Sequence, residues 1–130
     1  MSVGFWCVLI SAVLIYIAKI PVAWAMQKDE RGYDNRHPRA QQQKLTGLGA
    51  RALASHQNSI EAFPLFAAAV FMATSASVVG TWTDMLAIIF VVARVLYLIC
   101  YWADWHWQRT LVWSVGLASC LMLMLTPLMA

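Results

Sequence analysis

Four apolar stretches, at about residues 3–26, 52–80, 82–103 and 110–130, take up most of this 130-residue chain. Each is long enough to cross the hydrocarbon core of a bilayer as a helix, which takes about 20 residues. The chain is 62% hydrophobic and 12% charged, and a soluble domain of this size could not bury so much apolar surface. The pattern predicts a single all-α domain, residues 1–130, folded as a transmembrane four-helix up-down bundle.

The basic residues are concentrated on one side of the predicted membrane helices. Six of them lie in or beside the loop between the first two apolar stretches, namely Lys28, Arg31, Arg36, Arg39, Lys44 and Arg51. Arg109 lies at the start of the last stretch, on the same side. Basic loops stay on the cytoplasmic side of membranes, so we expect the long loop in the cytoplasm and both termini outside. Anionic lipid headgroups explain the net charge of +3 without a nucleic acid partner.

A cluster of polar residues stands at the edge of the second apolar stretch. Asn58 and Glu61 come just before a run from Ala62 to Thr83 that has no charged side chain. A carboxylate at the edge of hydrocarbon is costly, and such residues are usually functional. At about 100° per residue, Arg51, Asn58 and Glu61 share one face of a helix. This arrangement indicates a binding site for a polar ligand.

The third apolar stretch carries a matching polar face. Arg94, Tyr97 and Tyr101 are spaced three and four residues apart, so they lie on one side of a helix. Counting back from the turns puts Arg94 at a depth similar to that of Glu61, and the tyrosines lead from there towards Arg109. One interpretation is a structural ion pair between Glu61 and Arg94. The other is a site for an anionic ligand from the cytoplasm, because more polar groups converge there than one ion pair needs.

Other residues that often carry chemistry give weaker signals. Cys7, Cys100 and Cys120 lie in apolar stretches without a C-x-x-C or metal-like spacing, so we predict buried, inert thiols. His56 has no second ligand and is predicted to be interfacial or structural, so no metal site is expected. The three tryptophans of the segment Trp102–Trp107 indicate an interfacial aromatic belt.

Taken together, the polar clusters and the four stretches resemble the MAPEG family, the membrane-associated proteins in eicosanoid and glutathione metabolism. The matching motifs are R-A-x-x-x-x-x-N-x-x-E-x-F-P-x-F at residues 51–66 and R-x-x-Y-x-x-x-Y at residues 94–101. The segments G-Y-D-N-R-H-P-R, residues 32–39, and H-Q-N-S-I-E-A-F-P, residues 56–64, resemble its bacterial branch. The resemblance covers essentially the whole chain and implies a multi-pass protein of the bacterial inner membrane.

The resemblance also implies a homotrimer that binds glutathione on the cytoplasmic side, between neighbouring subunits. Carried over by position, Asn58 and Glu61 would hold the peptide, and Glu61 would pair with the γ-glutamyl ammonium group. Arg94, together with Tyr97 or Tyr101, would meet the carboxylates and amide groups of the ligand.

Arg109 is the implied catalytic residue, because it falls near the arginine that stabilises the glutathione thiolate in the leukotriene-forming synthases. Two positions depart from those synthases. Ala54 stands where they carry an arginine four residues before the asparagine, and Arg51, one turn earlier, is the candidate to replace it in ligand binding. The spacing from Tyr101 to Arg109 is one residue longer than in the synthases.

The leading hypothesis is a glutathione-dependent transferase or peroxidase that acts on lipophilic electrophiles, with glutathione as co-substrate. Its partners would be membrane lipid, further copies of the chain and a lipophilic small molecule. A small multidrug-type transporter is an alternative, although such transporters use a glutamate in their first helix and this first stretch carries only Lys19. A non-catalytic membrane scaffold is the other alternative, which a pairing of Glu61 with Arg94 would favour.

Overall fold

The computed structural model describes residues 2–130, which form five helices and no strand. The helices are α1 (Val3–Gln27), α2 (Pro38–Gln43), α3 (Gly47–Ser75), α4 (Thr81–Trp102) and α5 (His106–Met129). The prediction of an all-α fold is confirmed. The short helix α2 lies in a segment that the sequence indicated to be a loop. It begins at Pro38, whose fixed φ and missing N–H suit the first position of a helix.

In the described part of the chain, three helices are long and apolar enough to cross a membrane, namely α1, α4 and α5. Their length and composition indicate an integral membrane protein. Helix α3, with 29 residues, is longer still, but its first half carries polar side chains and it is not among the three. It begins at Gly47 rather than at Ala52 and ends at Ser75 rather than at Gly80.

Helices α1 and α3 run antiparallel and in close contact. Gly4, near the start of α1, lies against Val70, near the end of α3. At the opposite end, a Cβ atom added to Gly49 would come within 2.8 Å of the Cβ atom of Ala25, so the two backbones approach very closely there. Helices α4 and α5 form the second closely packed pair, and contacts of α4 with α1 and α3, and of α5 with α3, join the pairs.

The apolar core is centred on two stacked aromatic rings. The rings of Phe66 on α3 and Phe90 on α4 have centroids 4.0 Å apart and planes inclined by 9°. Phe66 is fully buried, and the free thiols of Cys7 and Cys120 are buried in the same cluster. Lipid removes most of the hydrophobic driving force between helices, so close van der Waals contact of this kind holds them together.

A polar contact also crosses the interface between α1 and α3. The imidazole of His56 is buried, and its Nδ1 atom lies 2.8 Å from the carbonyl oxygen of Ile15. A carbonyl oxygen can only accept a hydrogen bond, so Nδ1 is the nitrogen that carries the proton. His56 therefore has a structural role, in agreement with the sequence-based interpretation.

Both turns that flank α4 place a non-glycine residue in the left-handed region. The φ angles of Ser77 and Asp104 are 56° and 61°. At the second turn, the N–H of Trp105 donates to the carbonyl oxygen of Cys100 at 2.8 Å, and that of Asp104 donates to Tyr101 at 3.2 Å. This is the hydrogen-bond pattern of a Schellman motif, which ends α4 and sets the start of α5 beside it.

The two ends of the molecule differ in charge. The loop before α3 and the turn after α4 lie at the same end, because a guanidinium nitrogen of Arg51 donates to the carbonyl oxygen of Trp102. We call this end, which comprises residues 28–51 and 102–109, the basic end. Asp84, in the first turn of α4, lies at the opposite end.

Candidate functional site

Arg94 on α4 lies at the centre of the candidate site. Only 6% of this residue is exposed. Its Nη1 atom donates to Oδ1 of Asn58 at 2.9 Å, and its Nη2 atom donates to Oγ of Ser59 at 3.3 Å. The guanidinium carbon lies 4.3 Å from the centroid of the Tyr97 ring. An arginine side chain stays protonated in proteins, so a fixed positive charge is buried between α3 and α4.

No carboxylate lies within ion-pair distance of this guanidinium in the part of the chain that the structure describes. The single contact of a carboxylate with a basic side chain found there joins Oδ2 of Asp34 to Nδ1 of His37 at 3.7 Å. Glu61, the partner that the sequence suggested as one interpretation, is exposed and lines a groove beside Arg94 without pairing with it. Charges inside membrane proteins usually have a partner, and this guanidinium has no carboxylate partner among the described residues.

A row of aromatic and basic side chains leads from Arg94 to the basic end. The rings of Tyr97 and Tyr101 meet edge to face, with centroids 5.6 Å apart. The guanidinium carbon of Arg109 lies 4.3 Å from the centroid of the Tyr101 ring. Each cation–π contact stabilises its arginine by about 0.5–2 kcal/mol and leaves the positive charge without a counter-ion. Two arginines thus bracket two tyrosines.

Two adjoining grooves open along this row. The polar groove, of about 230 Å³, is lined by Asn58, Tyr97, Tyr101, Arg109, Thr110 and Trp113. The apolar groove, of about 220 Å³, is lined by Asn58, Glu61, Ala62, Leu65, Phe90, Arg94, Trp113, Gly116, Leu117 and Cys120. The grooves adjoin because Asn58 and Trp113 line both. Of the site residues predicted from the sequence, only Arg51 lies outside the two linings.

Arg51 and Trp102 join α3 to the end of α4. The Nη2 atom of Arg51 donates to the carbonyl oxygen of Trp102 at 3.2 Å, and a cation is favourable at a helix C-terminus. The indole nitrogen of Trp102 donates to Oγ of Ser55 at 3.1 Å. These contacts give both residues a part in joining the helices, and the predicted ligand-binding role of Arg51 stays a prediction. Seven residues put Arg51 about 10 Å along the helix from Asn58, so sharing a face did not bring it into the groove.

Replacing Arg51 with methionine is therefore expected to weaken the fold and to leave ligand binding nearly unchanged. The free energy of unfolding should fall by about 1 kcal/mol, the usual contribution of one hydrogen bond. Unfolding in mixed detergent micelles measures the first effect, and titration with glutathione measures the second. If the variant lost as much affinity for glutathione as a variant of a groove residue does, Arg51 would be part of the binding site.

Among the site residues not predicted from the sequence are Trp113 and Gly116, which line the grooves, and Ser59, which accepts a hydrogen bond from Arg94. Trp113 follows Arg109 by four residues, and this spacing on a helix could have identified it. Gly116 is buried, and an added Cβ atom would lie 3.4 Å from that of Ala93, so it allows α5 to approach α4 closely. Ser59 gives no such signal, because a serine within a helix commonly bonds its own backbone, as Ser59 also does.

The reactive groups near the grooves are few. Cys120 lines the apolar groove but belongs to the buried core cluster. Among residues 2–130 there is no group of three or more His, Cys, Asp or Glu side chains that could hold a metal ion. The grooves therefore offer cationic and hydrogen-bonding groups for an anionic ligand, next to an apolar surface.

The geometry can be compared with known proteins. The family model described as the MAPEG family matches residues 3–129, which include all the lining residues of both grooves. Neither curated proteins nor solved structures give a significant match.

Proposed function

Because this chain belongs to the MAPEG family, we propose that it binds glutathione along the polar groove and the adjoining edge of the apolar groove, where Arg94 and Glu61 lie, and that it acts as a glutathione-dependent transferase or peroxidase. The substrates would be lipophilic electrophiles that reach the site through the apolar groove. Glutathione is the co-substrate, and its sulfur is the nucleophile of the reaction.

The buried, unpaired charge of Arg94 is the observation that carries this proposal. Glutathione has two carboxylates, and a guanidinium fork binds a carboxylate through two charge-assisted hydrogen bonds. The oxygen of Asn58 accepts from Arg94, and its amide NH₂ group is left for the ligand. Glu61, exposed at the edge of the apolar groove, would pair with the ammonium group of the γ-glutamyl residue.

Arg109 is the proposed catalytic residue. It is half-buried, lines the polar groove and is held over the ring of Tyr101. A cation beside a sulfur atom favours the thiolate over the thiol, and the thiolate is the attacking form. The hydroxyl group of Tyr101 is a further possible hydrogen-bond donor in the same groove.

The apolar groove would receive the electrophile. Leu65, Phe90 and Leu117 give it an apolar lining, and it joins the polar groove at Asn58 and Trp113. Ligand sites commonly combine an apolar lining with a few polar groups. A lipophilic molecule dissolved in the bilayer could therefore reach the sulfur of glutathione through the apolar groove without crossing water.

The size of the grooves supports a second copy of the chain as part of the site. Each groove is smaller than the roughly 300 Å³ of a typical small-molecule pocket, so a tripeptide and an electrophile need a further wall. A neighbouring subunit of a homotrimer would supply it. In this assembly α3 is the fourth membrane-spanning helix, with its polar first half turned towards the site rather than towards lipid.

We place the basic end in the cytoplasm and both termini outside, because basic loops are retained on the cytoplasmic side. For a bacterial member this is the inner membrane. Glutathione made in the cytoplasm would then enter the polar groove directly, since Arg109 lies at the basic end.

Titration of the detergent-purified protein with millimolar glutathione tests the proposal. We expect heat of binding together with an increase in the ultraviolet absorbance of the thiolate. Binding without thiolate formation would exclude the catalytic role and leave a binding protein. No binding at all would favour a membrane scaffold that uses its buried arginine for assembly.

Substitution of Arg109 separates catalysis from binding. Changing Arg109 to glutamine should lower kcat by roughly 100-fold, the usual cost of losing one group that stabilises a developing anion. The dissociation constant of glutathione should change little, because Arg94 still binds a carboxylate. Arg109→Lys is the matched control, since it keeps the charge and should retain most of the thiolate absorbance. Equal activity in the glutamine and lysine variants would exclude the electrostatic role.

A further inference from the structure

The loop between α1 and α2 is held in one shape by a buried glutamine. The side chain of Gln41 accepts a hydrogen bond from the N–H of Asp34 at 2.8 Å. Its Nε2 atom donates to the carbonyl oxygen of Met26 at 3.1 Å and to that of Gly32 at 2.9 Å. Three hydrogen bonds from one uncharged side chain thus fix the loop against the end of α1.

Two carboxylates of this loop, those of Asp34 and Asp29, accept hydrogen bonds from backbone N–H groups of the loop. Oδ1 of Asp34 accepts from the N–H groups of Arg36 and His37, both at 3.0 Å, and Oδ2 pairs with the His37 ring. Oδ1 of Asp29 accepts from the N–H of Arg31 at 3.3 Å. These hydrogen bonds stabilise the turns of the loop.

The same loop, together with α2, borders an open polar cavity of about 480 Å³, which we call the loop cup. Its lining has three basic side chains, Arg31, Arg36 and Lys44, and it also includes Tyr33, Asn35 and the two carboxylates described above. Within the described residues, none of the three basic side chains forms an ion pair. The loop cup is thus a concave surface on which three unpaired cations outnumber two carboxylates.

We propose that the loop cup binds a phosphate group. The planar fork of an arginine matches two phosphate oxygens, and a lysine adds a third, compact positive charge. A carboxylate could use one fork, but the tetrahedral phosphate has enough oxygens for all three cations. This site is separate from the grooves, since the two sets of lining residues share no member.

The position of the loop cup allows two sources of phosphate. It follows directly on the end of α1, where the amine of Lys28 lies 3.6 Å from the ring centroid of Trp24. Tryptophan and lysine at a helix end mark the level of the lipid headgroups. The phosphate could therefore belong to a lipid headgroup or to a free anion from solution.

The loop offers a matched pair of arginines to test this proposal. Arg36 lines the loop cup, whereas Arg39, three residues further on, does not, and both are exposed. Binding to the full chain in detergent would be measured for phosphatidylglycerol by native mass spectrometry, with phosphatidylcholine as reference. Inorganic phosphate would be measured by calorimetry. The variants are R36Q, R39Q and Q41M, the last of which removes the hydrogen bonds of Gln41 without changing the charge.

We expect R36Q and Q41M to weaken binding by about tenfold, as for the loss of a charged hydrogen bond, and R39Q to bind like the wild type. This pattern with phosphatidylglycerol identifies a headgroup site, and the same pattern with inorganic phosphate identifies a site for a soluble anion. Equal weakening by R36Q and R39Q, with no effect of Q41M, would overturn the proposal, because diffuse attraction to a basic surface depends only on charge. Absence of binding of both probes to the wild type would overturn it as well.

Discussion

Replacing Arg94 with methionine is expected to weaken glutathione binding by at least about 100-fold, because two charge-assisted hydrogen bonds of about 1.5–3 kcal/mol each are lost together. Methionine keeps a long, unbranched side chain in the same space. Calorimetric titration measures the affinity. As a second readout, glutathione should raise the thermal midpoint of the wild type by mass action and leave that of the variant unchanged.

Arg51→Met is the matched control, since it removes a second partly buried arginine that lies outside both grooves. Arg94→Lys should show an intermediate loss of affinity, because it keeps the charge but not the planar fork. The thermal midpoint of each variant without ligand shows whether it has folded. If Arg94→Met, once folded, bound glutathione as tightly as the wild type, Arg94 would not be part of the site and the main support for the proposed function would be gone.

Replacing Phe66 with alanine is expected to cost about 3 kcal/mol in the free energy of unfolding. This value lies at the lower end for a buried phenylalanine, because lipid is as apolar as the protein core and the cost comes from lost contacts and the remaining cavity. The stacked ring of Phe90, at 4.0 Å, would lose its main neighbour. Equilibrium unfolding in mixed detergent micelles measures the change.

The same substitution at Phe71 provides the control, because Phe71 lies on the same helix with 69% of its surface exposed. It should change the free energy of unfolding by much less than Phe66→Ala. Similar losses at the two positions would mean that burial at the Phe66–Phe90 stack is not what stabilises the described fold.

Local spacing was enough to predict the polar face of α4. Positions three and four residues apart meet on a helix whatever surrounds it, and Arg94, Tyr97 and Tyr101 lie in one row. The same geometry could not identify the partner of Arg51, which is a backbone carbonyl far along the chain. Every residue has such a carbonyl, so a sequence gives no sign of which one an arginine will reach.

The bounds of α3 and the order of the loop also depend on contacts that leave no local pattern. Helix α3 begins at Gly47, before its predicted start, in the region where Gly49 packs closely against Ala25 of α1. No local sequence pattern indicates this contact between distant parts of the chain. Gln41 is one of three consecutive glutamines, and only the folded chain shows that this one is bonded to the end of α1. The all-α class depends on composition and length and could be predicted without such contacts.

The bond between Arg94 and Asn58 has a consequence for how the protein enters its membrane. An arginine within a spanning helix costs about 2.5–3.5 kcal/mol on insertion from the translocon, so α4 carries a penalty when it inserts alone. Helix α3, made just before it, is too polar in its first half to be a good inserting segment by itself. Joined by the short turn at residues 76–80, the two helices satisfy each other's polar groups. Biogenesis would then proceed through an α3–α4 hairpin that leaves the translocon as one unit.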